Sequence, residues 1–293
     1  MEKYWILDDD KLNIDTQVIL NEYLLSLKLA NKSEVTIEHY RRYLNRVFVD
    51  ITKPLNELSS DDILDYIREK HMNFKESTRL KYITILSRFF NFCENEDYIN
   101  QSLVKKRWKP RLPSPIPKYL DRIELAKVKL QAEKLNLRDR AIFEFLISSG
   151  SRVGEVHRLN VEDIDFENRT ATVIGKGKKI RQVHFTESCA ILLEKYMNTH
   201  PDNVETLFIG RGNDRLSKEY MQYMVKSLGV KASLTRRISI HCLRHTFSTV
   251  LLSKGYSLEF IAEELGHDDI NTTRIYARLP QEQMISLYRK FMG

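Results

Sequence analysis

The sequence predicts a mostly α-helical protein with a small antiparallel β-sheet, made of an N-terminal four-helix domain and a mixed C-terminal domain. Three observations predict it. Apolar residues recur at steps of three and four between residues 14 and 100. A proline-rich basic segment follows at 105–118. Beyond it, two short β-branched runs flank "KGKK" among further helical stretches. A chain of 293 residues is long for one core and fits two domains.

The elements follow in order. "TQVILNEYLLSLKLA" reads as the first helix. Ser33 is a plausible N-cap for the second, whose stripe is Ile37, Tyr40, Leu44 and Val47. Near "LSSDDILDYI", Ser59 or Ser60 can cap a third, and the acidic pair suits a helix N-terminus. "STRLKYITILSRFFNFCENE" carries Tyr82, Leu86, Phe89 and Cys93 on one stripe and completes a four-helix domain over residues 1–104. The segment "KKRWKPRLPSPIPK", 105–118, holds four of the seven prolines and six basic residues with no acidic one, so it reads as an extended linker. Its cations are either solvated or set against a phosphate backbone. From 119 to 293, helices are expected over "DRIELAKVKLQAEKL" and "RDRAIFEFLISSG", then a hairpin of "TATVIG" and "IRQVHF" with Gly175 and Gly177 in its turn. Helices return through "MQYMVKSLGV", "HCLRHTFSTVLLSKG", "SLEFIAEELG" and "PQEQMISLYRKFMG".

Composition bounds the function. The apolar fraction of 42% argues for a folded chain, and a net charge of +7 suits a polyanionic partner without proving one. Cys93, Cys189 and Cys242 are far apart, so a reducing compartment is expected rather than a disulfide framework. The start "MEKYWILDDDKL" lacks a basic leader, and no apolar run is long enough for a bilayer, which predicts a cytoplasmic protein. "IGKGKKI" lacks the spacing of a phosphate-binding loop, and "HCLRH" lacks the glutamate of a zinc-protease motif. No cofactor and no metal are expected.

The informative residues come in a fixed order. Arg152 follows an apolar helix and Gly150 in "SSGSRVGEVHRL"; Lys176 sits in "GKGKK"; His241 and Arg244, three apart in "HCLRH", share a helix face. His267 follows in "LGH", and Tyr276 comes nine residues later in "NTTRIYARLP". Each alone has an ordinary structural explanation. Together they resemble the tyrosine recombinase (phage integrase) family, whose signature is an arginine in G-x-R-x-x-E, a hairpin lysine, H-x-x-R, L-G-H and a tyrosine about nine residues on. Gly150, Arg152 and Glu155, then Lys176, His241, Arg244, Leu265 to His267 and Tyr276 match it in order. Gly154 and Ala277 depart from residues common in the family at those positions.

The resemblance spans nearly the whole chain and implies a SAM-like core-binding domain, a linker at 105–118 and a catalytic domain over 119–293, as in the shorter, Xer-like members without an arm-binding domain. It implies a site-specific recombinase that cleaves and rejoins DNA through a 3′-phosphotyrosine and a Holliday junction. Tyr276 would be the nucleophile and Lys176 the general acid. Arg152 and Arg244 would hold the phosphate in guanidinium forks, which a lysine cannot reproduce. His241 and His267 would donate to the phosphate or manage the tyrosine proton, and Glu155 would either orient Arg152 or form an ordinary helix salt bridge. Lys105, Lys106, Arg107, Lys109 and Arg111, with Arg181, Arg236 and Arg237, are expected as phosphate contacts from charge alone. Other expected partners are further protomers in a tetramer on DNA, with the stripe Met284, Leu287, Tyr288 and Phe291 either docked on a neighbour or packed on its own domain, and the place of action is the nucleoid. A type IB topoisomerase shares this chemistry; the tight spacing from "HCLRH" to Tyr276 favours the recombinase.

Overall fold

The computed structural model describes residues 4–113, 117–175, 177, 179–266 and 273 of the 293. The chain divides into two compact units, Met1–Pro113 and Ser114–Gly293.

The first unit is built on four helices, α1 (Ile14–Leu29), α2 (Glu34–Asp50), α3 (Ser60–His71) and α4 (Glu76–Asn95). Their starts are chemically explicit. The Asn13 side chain accepts from the amides of Asp15 and Thr16, and the Ser33 hydroxyl accepts from that of Thr36. Of the two serines available to α3, Ser59 caps, in a reciprocal box with Asp62. Ile37, Tyr40, Leu44 and Val47 are all buried. On α4 the expected stripe is too narrow: Ile83, Ile85 and Phe90 are buried beside Leu86, Phe89 and Cys93, and Tyr82 is partly buried. The reason is that α4 packs against both α1 and α2. Leu103 and Val104 close this core, and a short 3-10 turn at Lys106–Trp108 lays Trp108 against it.

The second unit has α5 (Arg122–Ala132), α6 (Leu137–Ser149), α7 (Val153–Arg158), a sheet of β1 (Ile164–Asp165), β2 (Thr170–Ile174) and β3 (Ile180–His184), then α8 (Glu187–Met197), α9 (Lys218–Lys231), α10 (Ile240–Ser253) and α11 (Leu258–Leu265). The three strands are antiparallel in the order β1-β2-β3. α6 is its central helix, buried from Ala141 to Ile147 on nearly every side because α8 and α10 both pack on it. Ala171 opposite Val183 and Val173 opposite Arg181 form the inward face of the hairpin. That register sends one arginine to the side where the other residues are buried and apolar.

α7, β1 and α8 are additional to the elements read from the sequence. The final expected helix, "PQEQMISLYRKFMG", lies outside the described residues.

Candidate active site

α6 ends at Gly150, whose φ of +61° is left-handed. A Cβ there would lie 2.4 Å from Phe247 Cδ1, so the position has no room for a side chain. The turn is held by Ser149 Oγ, which donates to the Phe145 carbonyl at 2.6 Å and to Ser151 Oγ at 2.9 Å. It delivers Arg152 to the N-cap of α7. There the Arg152 amide donates to Glu155 Oε2 and its guanidinium Nη1 donates to Glu155 Oε1, both at 2.8 Å.

Arg244 is buried on α10 and joins two helix ends. Its Nη1 donates to the Gly150 carbonyl at 2.7 Å and its Nη2 to the Leu265 carbonyl at 2.6 Å. Such carbonyls lack partners within their own helices and carry the negative end of the dipole, which suits a guanidinium. α11 is capped by Gly266 at φ +60°. Three successive carbonyls at this cap accept from three arginines: Glu264 from Arg181 Nε at 3.2 Å, Leu265 from Arg244, and Gly266 from Arg152 Nη2 at 3.4 Å.

Glu155 is the anionic centre of the cluster. Arg181 reaches it with both terminal nitrogens, at 2.9 and 3.0 Å, while Arg152 grips it from its own turn. Burial alone would raise this carboxyl; hydrogen bonds from Arg181 and the Arg152 amide, with the charges behind them, bring it down to about 2. His241, three residues before Arg244, is exposed, yet partial desolvation, followed by the charges of Arg244 and Arg152, holds its imidazole below the ordinary value. Two guanidiniums and a neutral imidazole therefore converge where α6, α7, α10 and α11 meet, a donor set suited to a phosphodiester anion.

Lys176, His267 and Tyr276 lie outside the described residues. The residues immediately before the first two adjoin the cluster. A Cβ on Gly175 would lie 3.5 Å from Arg181 Nη1 and 3.6 Å from Glu155 Oε1, and one on Gly266 would lie 2.9 Å from Arg181 Cδ.

Of the residues expected to contact phosphates, Lys105, Lys106, Arg107, Arg111 and Arg237 are exposed. Lys109 Nζ donates to Ser87 Oγ at 3.1 Å. Arg181 and Arg236 turn inward instead. Arg236 pairs with Glu124 at 2.7 Å and donates to the Tyr119 carbonyl. Two features escaped the sequence reading. His184 Nδ1 lies 2.8 Å from Glu264 Oε1, and His245 sits one turn after His241 with its imidazole held low by burial and then by His241 and Arg244. Among the described residues no group of three or more His, Cys, Asp or Glu is placed to hold a metal ion.

Comparison with known proteins agrees with this geometry. The pattern of the phage integrase family matches residues 118–283, and that of the phage integrase N-terminal SAM-like domain matches residues 20–97. The chain is 32% identical to tyrosine recombinase XerA of Pyrococcus horikoshii over 271 residues, 91% of this chain and 90% of the relative. It is 30% identical to tyrosine recombinase XerC of Oceanobacillus iheyensis over 96% of this chain and 95% of the relative. Its fold is similar to a crystal structure of the site-specific recombinase XerH bound to palindromic difH substrate in a post-cleavage complex. There the TM-score is 0.74 and identity 22%, over 98% of this chain and 92% of that one. With the donor cluster and the length of these matches together, the chain belongs to the phage integrase family of tyrosine recombinases.

Proposed function

We propose that the chain is a site-specific DNA recombinase that cleaves and rejoins DNA strands through a 3′-phosphotyrosine formed by Tyr276, and exchanges them through a Holliday junction. The observation that carries this is the convergence of Arg152 and Arg244 on the C-terminal carbonyls of α11, one residue before His267, with His241 one turn from Arg244 on α10 and under the influence of both charges. The relatives' names and the XerH post-cleavage complex support the same chemistry.

In this mechanism the Arg152 and Arg244 forks hold the non-bridging oxygens of one phosphodiester and stabilise the added charge of the transition state. Tyr276 Oη attacks phosphorus, the bond from phosphorus to the 5′ oxygen breaks, and that oxygen takes a proton from Lys176. A free tyrosine of pKa ~10 is ionised in about one molecule in a thousand near neutrality, so the cationic pocket must favour the phenolate. His241, kept neutral by its surroundings, can donate one hydrogen bond to the phosphate and hold a proton. His267 shares that task. A 5′ hydroxyl from another duplex attacks the phosphotyrosine, rejoins the strand and releases Tyr276; ATP has no part because the bond energy is kept in the ester.

Residues 1–104 would form the core-binding domain, 105–118 the linker and 119–293 the catalytic domain. Lys105, Lys106, Arg107, Arg111 and Arg237 remain exposed for phosphate contacts. Protomers assemble on DNA as a tetramer, in which the stripe from Met284 to Phe291 docks on a neighbour. No helix of the described residues is long and apolar enough to cross a membrane, and the reaction is assigned to the nucleoid.

The test is strand exchange. DNA sites captured covalently by the protein are placed twice on one plasmid, and the purified full chain should exchange segments between them. Relaxation of supercoils at unrelated sequences with no exchange between the captured sites would instead identify a topoisomerase.

A further inference from the structure

Arg181 is an arginine on the inward face of a strand, opposite Val173 and two residues from buried Val183. Its side chain keeps only 15% of its surface, against 32% for Arg152, and the Glu155 side chain that both grip keeps 1%. All three guanidinium nitrogens of Arg181 are used within the protein: Nη1 and Nη2 on Glu155, Nε on the Glu264 carbonyl. A bidentate fork of this kind fixes orientation as well as charge. The three elements it joins are the hairpin, α7 with Arg152 at its cap, and the end of α11. Glu264 is held a second time, by His184, the residue after Val183 on the same hairpin.

We propose that Arg181 is a positioning residue of the cleavage centre: it holds Glu155 under Arg152 and pins the end of α11, where the segment beginning at His267 starts, and it contacts no phosphate. This rests on the recombinase reading above. Arg152 and Arg244 share their nitrogens between the α11 carbonyls and, in that reading, a phosphate, so a residue committed to protein partners is what keeps the α11 end in place while they engage DNA. Charge along the sequence cannot distinguish Arg181 from a phosphate contact. Register and burial do.

The charged groups that face Glu155 among the described residues are Arg152 from its own turn and Arg181 from β3. Removing Arg181 takes away the main interaction that offsets burial, so the Glu155 carboxyl should move upward in the free protein.

The experiment compares the full-length wild type with Arg181→Gln and Arg181→Lys. Three readouts are taken: the Glu155 carboxyl titration by carbon NMR without DNA, the salt dependence of duplex binding, and single-turnover cleavage at saturating DNA. The expected result is a Glu155 midpoint raised by more than one pH unit in Arg181→Gln and a binding-salt slope equal to that of wild type. Cleavage should be slowed at least tenfold, more so toward acid pH, with partial rescue in Arg181→Lys. Loss of a phosphate contact would instead lower the slope by roughly 0.9. A lowered slope with wild-type cleavage at saturation overturns the proposal, as does an unmoved Glu155 titration. If Arg181→Gln does not fold, Arg181→Lys decides alone: a wild-type cleavage rate overturns the proposal, and a slowed rate with unchanged slope supports it. Wild-type protein that never becomes attached to DNA counts against the recombinase reading, whereas the titration still tests the role of Arg181.

Discussion

Placing alanine at Gly266 probes how tightly the end of α11 is held. Gly266 has φ +60° and ψ 55°, a left-handed conformation that costs an L-residue about 1 kcal/mol. A Cβ there would also lie 2.9 Å from Arg181 Cδ and Nε and 3.0 Å from Cζ. A free arginine would swing away at little cost. Arg181 is fixed by Glu155 and the Glu264 carbonyl, so relieving the clash should add about 1–3 kcal/mol, as overpacking does in cores. The total for Gly266→Ala is then about 2–4 kcal/mol. Gly212→Ala separates the two terms: Gly212 has φ +63° with nothing within 4 Å of an added Cβ, so only the backbone cost of about 1 kcal/mol remains. Urea unfolding of both variants measures the difference. Trp5 and Trp108, the two tryptophans, are both in the first unit, so the second unit is followed by far-UV circular dichroism and by amide exchange in α11. If Gly266→Ala loses no more stability than Gly212→Ala, Arg181 is not held as described.

Two further predictions concern residues outside the cluster. His71 is buried among Tyr43, Tyr66, Phe74 and Tyr82, and desolvation lowers its imidazole to about 4. Because the folded value lies below the unfolded one near 6.5, its stabilising effect is complete above pH ~6.5 and is lost as pH falls through about 4. The first unit should lose up to about 3 kcal/mol across that window, read by tryptophan fluorescence, and His71→Leu should flatten the dependence; an unchanged acid profile contradicts this. Arg236→Ala should cost the second unit about 1 kcal/mol, since Arg236 ties Glu124 and the Tyr119 carbonyl, and should leave the salt dependence of DNA binding unaltered. A reduced salt slope would return Arg236 to the phosphate contacts.

Much of the helical architecture was legible because local chemistry specifies it. Ser33 and Ser59 cap the helices they precede, and the stripe from Ile37 to Val47 is buried as its spacing implies. α8 was missed although Cys189, Ala190, Leu193 and Tyr196 form a buried stripe, because Thr186 ahead of it makes no side-chain cap and a strand runs close before it. α7 has six residues, too few to show a period. At the site, Arg152, His241 and Arg244 could be picked out by order; the two arginines meet at the end of α11, and His241 lies one turn from Arg244 on α10. Their acceptors could not, since the carbonyls of Gly150, Leu265 and Gly266 belong to no residue type. The internal partners of Arg181 and Arg236 were hidden for a related reason: a basic residue near a motif reads as surface charge until a partner 26 or 112 positions away is found beside it.

The most direct measurement is covalent capture. Wild type and Tyr276→Phe are incubated with a nicked duplex carrying the captured site, from which the cleaved fragment diffuses away, and the trapped peptide is sequenced by mass spectrometry. Both proteins should bind the duplex equally, while only wild type becomes attached, through Tyr276. An adduct that persists in Tyr276→Phe, or that maps to another residue, would contradict cleavage by this tyrosine.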